Sequence, residues 1–255
     1  MNQAAALFKK EMVEHIRNFK LFALIIVFMI LGVVSPLTAL LMPDILEAVM
    51  EDSGITIDLP PVSAFDSYAQ FFSNANQMGL VILVIVFGNI MTHEFSGKTL
   101  VNLVTKGLKK YNIILVKSAF AVMVWTAAYI TGALITYLYT IYYWEDEVQH
   151  LIAAFALTWL FGIFLISVIM AASAILKSSF AGVLITMLAV VIIMVIAGIH
   201  PDVAEYLPQY LISSNMELLT GELEAREVVP SVIVTIAATL IMIGASIFIF
   251  NNVEM

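Results

Sequence analysis

Hydrophobic residues run in long uninterrupted stretches along this chain, separated by shorter segments that hold most of the charged residues. Six stretches reach the roughly 18–20 apolar residues that a helix needs to cross a bilayer. They cover residues 19–41, 73–91, 113–143, 151–176, 180–199 and 229–250. Each stretch is continuously apolar and lacks the period-two alternation of a membrane β-barrel strand. The pattern therefore predicts an all-α polytopic membrane protein, with six transmembrane helices in a single transmembrane domain over residues 1–255.

The overall composition agrees with a chain that lies mainly in lipid. Hydrophobic residues make up 62% of it and charged residues only 12%, against about 25% charged residues in a typical soluble domain. The mean hydropathy is +1.02. Cysteine is absent from the sequence, which excludes a disulfide framework and a thiolate metal site.

The charges separate by side of the membrane and predict an orientation. Ten of the eleven Lys and Arg residues fall on one side of the six spans, and only Arg226 falls on the other. The positive-inside rule places the ten in the cytoplasm, with both termini. The opposite, outer side carries most of the acids. These acids are interpreted as solvated surface charges, with a binding face for a cationic peptide or a metal ion as the alternative.

The first 18 residues predict an amphipathic elbow helix. Phe8, Met12, Ile16 and Phe19 follow one another at spacings of four, four and three, which places them on one helical face. Most of the charged residues fall on the opposite side. Such a helix lies in the membrane interface, with its lysines toward anionic headgroups. The alternative is a juxtamembrane extension that only sets orientation.

Residues 92–112, between the second and third stretches, predict a cytoplasmic helix that is both amphipathic and cationic. Its apolar residues share one face, and Gly107 suits a helix C-terminus because glycine readily adopts the left-handed conformation. An exposed apolar face of two turns with a basic rim fits a groove on a partner protein. A positive-inside loop that rests on the headgroups would show the same pattern.

The same segment resembles the coupling loop of ABC type-2 permeases, the membrane subunits of a class of ABC exporters. The similarity follows the order Glu94, Gly97, Lys98, Thr99, Leu103, Val104, Thr105, Gly107, Lys109 and Lys117. The threonine stands one place later than in the G-T pair of that family. The resemblance extends over the whole chain, including the stretch YLPQYLISSNMELLTGE at residues 206–222 within an outer insertion, residues 200–228.

The resemblance implies partners and roles for particular residues. The loop would insert into ABC ATPase subunits, which would hold ATP and Mg, and a second permease subunit would complete a homodimer or heterodimer. The implied coupling residues are Glu94, Gly97, Lys98, Thr99, Leu100, Val101, Val104, Gly107, Lys109 and Lys110. The outer insertion would cap the exit of the pathway. The implied location is a prokaryotic cell membrane, and the implied cargo is amphiphilic: a drug, an antimicrobial peptide or a lipid.

Several function classes are disfavoured by what the sequence lacks. It contains no Walker A motif, so in ATP-driven transport another polypeptide would have to bind the ATP, and no cofactor is expected on this chain. No Asp, Glu, Lys or Arg lies near the centre of a stretch, which disfavours an ion-coupled carrier. The four histidines are scattered and match no metal or catalytic motif, so an enzyme is not expected, nor is a nucleic-acid partner. A non-transporting sensor or scaffold subunit and an ABC-type sodium extrusion permease remain as alternatives.

Polar residues inside the spans supply the candidates for a transport pathway or a dimer seam. The residues assigned to it are Asn76, Gln77, Asn89 and Thr186. The alternative for each of them is an ordinary hydrogen bond between neighbouring helices, which polar side chains commonly make in membranes.

Overall fold

The computed structural model describes residues 3–51, 61–90, 109–176 and 178–252. All regular secondary structure in these ranges is helical. Six helices are long and apolar enough to cross a membrane, which confirms the predicted all-α polytopic fold. In chain order the helices are α1 (Gln3–Arg17), α2 (Lys20–Glu51), α3 (Ala64–Asn74), α4 (Leu80–Phe87), α5 (Lys110–Tyr143), α6 (Leu151–Leu176), α7 (Ser179–Ile199), α8 (Pro201–Ala204), α9 (Tyr210–Ser213), α10 (Asn215–Thr220) and α11 (Val229–Asn252).

The second span combines α3, a π-helical turn at Ala75–Gly79 and α4 into one helix over Ala64–Phe87. It begins nine residues before the predicted start at residue 73, so that boundary was wrong. Polar residues in its first half lower its mean hydropathy to 1.4, the lowest of the six spans. The hydropathy pattern assigned these residues to a loop because it does not register the hydrogen bonds that accommodate them inside a helix.

The first span also continues further than the sequence pattern indicated. The helix α2 passes through Pro36 and Pro43 and ends at Glu51, ten residues beyond the predicted limit. Proline has no N–H, so Pro36 leaves the carbonyl of Gly32 without its usual helical donor. The hydroxyl of Thr136 on α5 lies 3.3 Å from that carbonyl and 3.0 Å from the backbone oxygen of Gly132, so its one proton is shared between the two acceptors. A neighbouring helix thus partly compensates the backbone group that the proline leaves unpaired.

The helices α2 and α5 also cross closely at Gly32. A Cβ atom added to Gly32 would come within 2.6 Å of the backbone oxygen of Gly132, and one added to Gly132 would come within 2.7 Å of the backbone oxygen of Phe28. Backbone atoms cannot move aside as a flexible side chain can. The two helices therefore approach each other through a pair of glycines, as is common inside membranes.

Aromatic side chains fill the centre of the bundle. The ring centroid of Phe28 lies 5.2 Å from that of Trp125 and 6.0 Å from that of Tyr129, and Phe71 and Phe155 extend the cluster.

By contrast, α7 and α11 are the least buried of the six spans. Their outward faces consist largely of Leu, Ile and Val, which suits contact with lipid or with another membrane protein.

Candidate functional site

A buried ion pair joins α1 to α5 at the end of the bundle that the charge pattern predicts to be cytoplasmic. The ammonium of Lys117 donates to Oε1 of Glu11 at 2.8 Å, and the two side chains are 2% and 0% exposed. Within the described residues, Oε2 of Glu11 has no hydrogen-bond partner. Charges taken out of water at this depth are costly unless they are paired. The pair therefore fixes the position of α1 on the bundle.

The face of α1 that packs on the bundle differs from the predicted apolar stripe. Leu7, Glu11 and His15 follow at spacings of four and are all buried. Met12 and Ile16, from the predicted stripe, are exposed. An exposed apolar stripe is compatible with the predicted interfacial position of α1, which stays a prediction. The hydrophobic pattern does not indicate this packed face, because two of its residues, Glu11 and His15, are polar.

The side chain of His15 lies against the ion pair. Its Nδ1 is 3.0 Å from the backbone oxygen of Glu11 and 3.9 Å from Oε2 of the same residue. Its ring contacts Phe120 at 4.6 Å and Phe87 at 6.5 Å. Burial lowers the pKa of His15, because desolvation of the charged ring outweighs the attraction of Glu11. The neutral ring with a proton on Nδ1 matches the acceptor that it faces.

Most of the predicted coupling residues lie outside the described residues. These are Glu94, Gly97, Lys98, Thr99, Leu100, Val101, Val104 and Gly107. The other two, Lys109 and Lys110, are described at the start of α5. The ammonium of Lys110 donates to the backbone oxygen of Asn251 at 3.2 Å, and that of Lys109 lies 5.8 Å from the ring centre of Tyr111.

The two described ends that flank the predicted coupling helix are both attached to the bundle. Before it, Oδ1 of Asn89 accepts a hydrogen bond from the ammonium of Lys20 at the start of α2. After it, α5 is held to α11 through Lys110 and to α1 through Lys117. The described residues on the two sides of this segment are thus bonded to α1, α2 and α11.

A second polar cluster lies around the π-helical turn, and we call it the outer cluster after the predicted orientation. The amide of Asn76 donates to Oδ1 of Asn215 at 2.9 Å and to the backbone oxygen of Ile212 at 3.3 Å. The hydroxyl of Thr158 lies 3.3 Å from Oδ1 of Asn215, whose own amide donates to the backbone oxygen of Ala154 at 3.2 Å. Both Thr158 and Asn215 are fully buried. The cluster holds the outer insertion against the second span and α6.

The predicted pathway residues do not converge on one point. Asn76 belongs to the outer cluster, whereas Asn89 lies beyond the other end of α4, where it contacts Lys20. Gln77 is exposed and donates to the hydroxyl of Ser73 at 3.0 Å. Thr186 is buried, and its hydroxyl donates to Gly182 in its own helix at 2.9 Å. Their assignment to a pathway or dimer seam stays a prediction.

The sequence pattern missed three residues of these clusters, Glu11, Thr158 and Asn215. No local signal marks Asn215, because Ser213, Ser214 and Glu217 surround it in the sequence. No cluster of His, Asp and Glu that could hold a metal ion occurs in the described part of the chain. Comparisons with protein families, with curated proteins and with solved structures found no match to this chain.

Proposed function

We propose that this chain is the membrane-spanning permease subunit of an ATP-driven exporter, related to the ABC type-2 permeases that its sequence resembles. A separate ATPase subunit would bind ATP and Mg and grip residues 92–112, and a second permease subunit would complete the pore in a prokaryotic cell membrane. The observation that carries the proposal is the attachment on either side of that segment. Lys20 holds Asn89 before it, and Glu11 holds Lys117 after it.

The inner contacts supply a route for mechanical coupling. When the ATPase closes, the segment would move as a lever and displace the ends of α4 and α5 together. Because the Glu11–Lys117 pair is buried, α1 would move with α5 and not slide past it. Rigid-body shifts of helices at interfaces are a common form of switching transition.

In this proposal the outer cluster transmits movement of the second span to the outer insertion, which covers the exit of the transport pathway. Asn76 lies in the π-helical turn, and it bonds the outer insertion through Ile212 and Asn215. A π-helical turn is a frequent site of functional change within a helix. Movement of the second span would therefore loosen the insertion, and in this proposal the insertion acts as a lid over an amphiphilic cargo.

The test is co-purification of the chain from native membranes, followed by measurement of ATP hydrolysis. We expect a partner with a Walker A motif, whose hydrolysis rate rises when the permease is present. Glu94→Ala and Gly97→Pro should each abolish that rise while the two proteins still assemble. The matched control is Glu145→Ala, which removes an exposed carboxylate from the predicted outer side and should leave the rate unchanged.

Two results would overturn the proposal. One is a purified assembly without any nucleotide-hydrolysing companion, which would favour a sensor or scaffold subunit. The other is full stimulation of the companion by both variants, which would show that residues 92–112 do not transmit the signal.

A further inference from the structure

A cavity of about 530 Å³ lies between the outer end of α2 and the first three turns of α3. Its size falls within the range of pockets that hold drug-sized molecules. Among the described residues one wall is apolar and the other is polar. The apolar wall consists mainly of Ala39, Met42, Pro43, Leu46, Val62 and Met216.

The polar wall is a single face of the second span. Asp66, Gln70 and Ser73 line the cavity at spacings of four and three, and Gln77 continues the same face toward the membrane centre. Polar side chains along a membrane helix are costly unless a partner binds them. Within the described residues Gln77 bonds Ser73, whereas Gln70 is only half-buried and makes no hydrogen bond. This face therefore offers hydrogen-bonding capacity that the protein itself does not use.

The charge at the cavity is negative. Oδ2 of Asp66 caps its own helix by accepting from the backbone N–H and the hydroxyl of Ser63, both at 2.8 Å. Oδ1 receives no hydrogen bond from the part of the chain that the structure describes. Asp44 and Glu47 extend the negative charge along α2. The described outer residues include one Arg and no Lys, and Arg226 pairs with Glu224 at 2.9 Å.

We propose that this cavity binds a cationic amphiphile. The cationic group would lie at the carboxylate of Asp66, and the apolar body would pack on Met42, Leu46 and Met216. A neutral lipid tail would leave the amide of Gln70 and Oδ1 of Asp66 without a partner, and an anion would meet only like charge. As the cargo site of an exporter the inference rests on the proposed function, but as a binding site it stands apart from it.

The test is equilibrium binding to the purified chain in dodecyl maltoside, without ATP and without an ATPase. The probes are radiolabelled tetraphenylphosphonium and tetraphenylborate, which share a shape and carry opposite charges. We expect saturable binding of the cation at one site per chain and no saturable binding of the anion. The assay needs no transport, so a failed assay is distinguishable from a failure of the proposed function.

Three variants locate the binding site. Asp66→Asn keeps an oxygen to cap α3 but removes the charge, and should weaken binding of the cation about fivefold, as expected for one charge at contact distance in a wet site. Ala69→Phe should fill the cavity and abolish saturable binding. Asp146→Asn removes an exposed carboxylate from the same side of the membrane and should change nothing. Each variant is first checked for wild-type elution and thermal stability.

Equal saturable binding of both probes, or unchanged binding in Asp66→Asn, would overturn the inference. So would the lack of any saturable binding of the cation. Displacement of the bound probe by added phosphatidylethanolamine would identify the natural ammonium group as that of a lipid. Retention of the probe would exclude phosphatidylethanolamine as the natural ligand. Either result is consistent with a site for cationic amphiphiles.

Discussion

Removal of one member of the Glu11–Lys117 pair should destabilise the folded protein strongly. In Lys117→Met the carboxylate of Glu11 keeps its 0% exposure and loses the ammonium at 2.8 Å. The loss of one partner from a buried pair costs about 3–5 kcal/mol. Because 1.4 kcal/mol is a factor of ten, the unfolding equilibrium constant should rise by roughly two to four powers of ten.

The double variant separates the ion pair from the packing around it. Glu11→Leu combined with Lys117→Met replaces both charges with apolar groups of similar size, and such replacements are often neutral or stabilising. We therefore expect the double variant to be more stable than either single variant. The assay is equilibrium unfolding of the purified proteins in detergent, analysed as a double-mutant cycle.

A matched control removes a lysine from the start of the same helix. Lys109 is exposed, so Lys109→Met should cost less than about 1 kcal/mol. Two results would contradict a buried ion pair: Lys117→Met costing no more than Lys109→Met, or the double variant being the least stable of the set. Either outcome would mean that the pair is not buried in the protein as it exists in a micelle.

Three further predictions concern the helix crossing, the outer cluster and the buried histidine. Gly132→Ala should destabilise the protein by about 1–3 kcal/mol in thermal unfolding, because the new methyl group comes within 2.7 Å of the backbone oxygen of Phe28. Its control is Gly244→Ala, which has open space around it and should be neutral or slightly stabilising. Asn215→Leu removes the hydrogen bonds that Asn76 and Thr158 make to Oδ1 of Asn215 and should cost about 1–3 kcal/mol. The exposed Thr220→Val is its control, and an equal effect of both would contradict the role of the cluster. The folded state disfavours protonation of His15, so it binds fewer protons than the unfolded state as the pH falls below about 6.5. The melting temperature of the wild type should therefore drop on acidification. An equally steep drop in the melting temperature of His15→Gln between pH 7.5 and 5 would disprove this role of His15.

The span count followed from the hydrophobic pattern because continuous apolar runs leave few alternatives in a bilayer. The start of the second span did not, since Asp66 and Gln70 resemble loop residues when their surroundings are unknown. The continuation of α2 past Pro36 was missed for a related reason. The hydroxyl that partly compensates for the missing N–H of Pro36 belongs to Thr136, which lies a hundred positions away in the chain.

The candidate site was predictable only where its chemistry is local. The amphipathic pattern of α1 could be seen in the sequence, but the pairing of Glu11 with Lys117 depends on how two distant helices pack. The same holds for Thr158 and Asn215, whose bonds cross between α6 and the outer insertion. Periodicity predicts that a helix has two faces, and tertiary contacts decide which face is buried.

In the proposed exporter, residues 92–112 are a cytoplasmic lever held by a nucleotide-hydrolysing partner, and crosslinking tests this directly. The chain has no cysteine, so Val104→Cys introduces a unique site for crosslinking in native membranes, and Asp146→Cys provides the outer control. We expect position 104 to be shielded from membrane-impermeant reagents in intact cells and to crosslink to an ATPase, whereas position 146 should be labelled from outside and crosslink to none. Labelling of position 104 from outside, or a crosslinked partner that hydrolyses no nucleotide, would contradict the proposal.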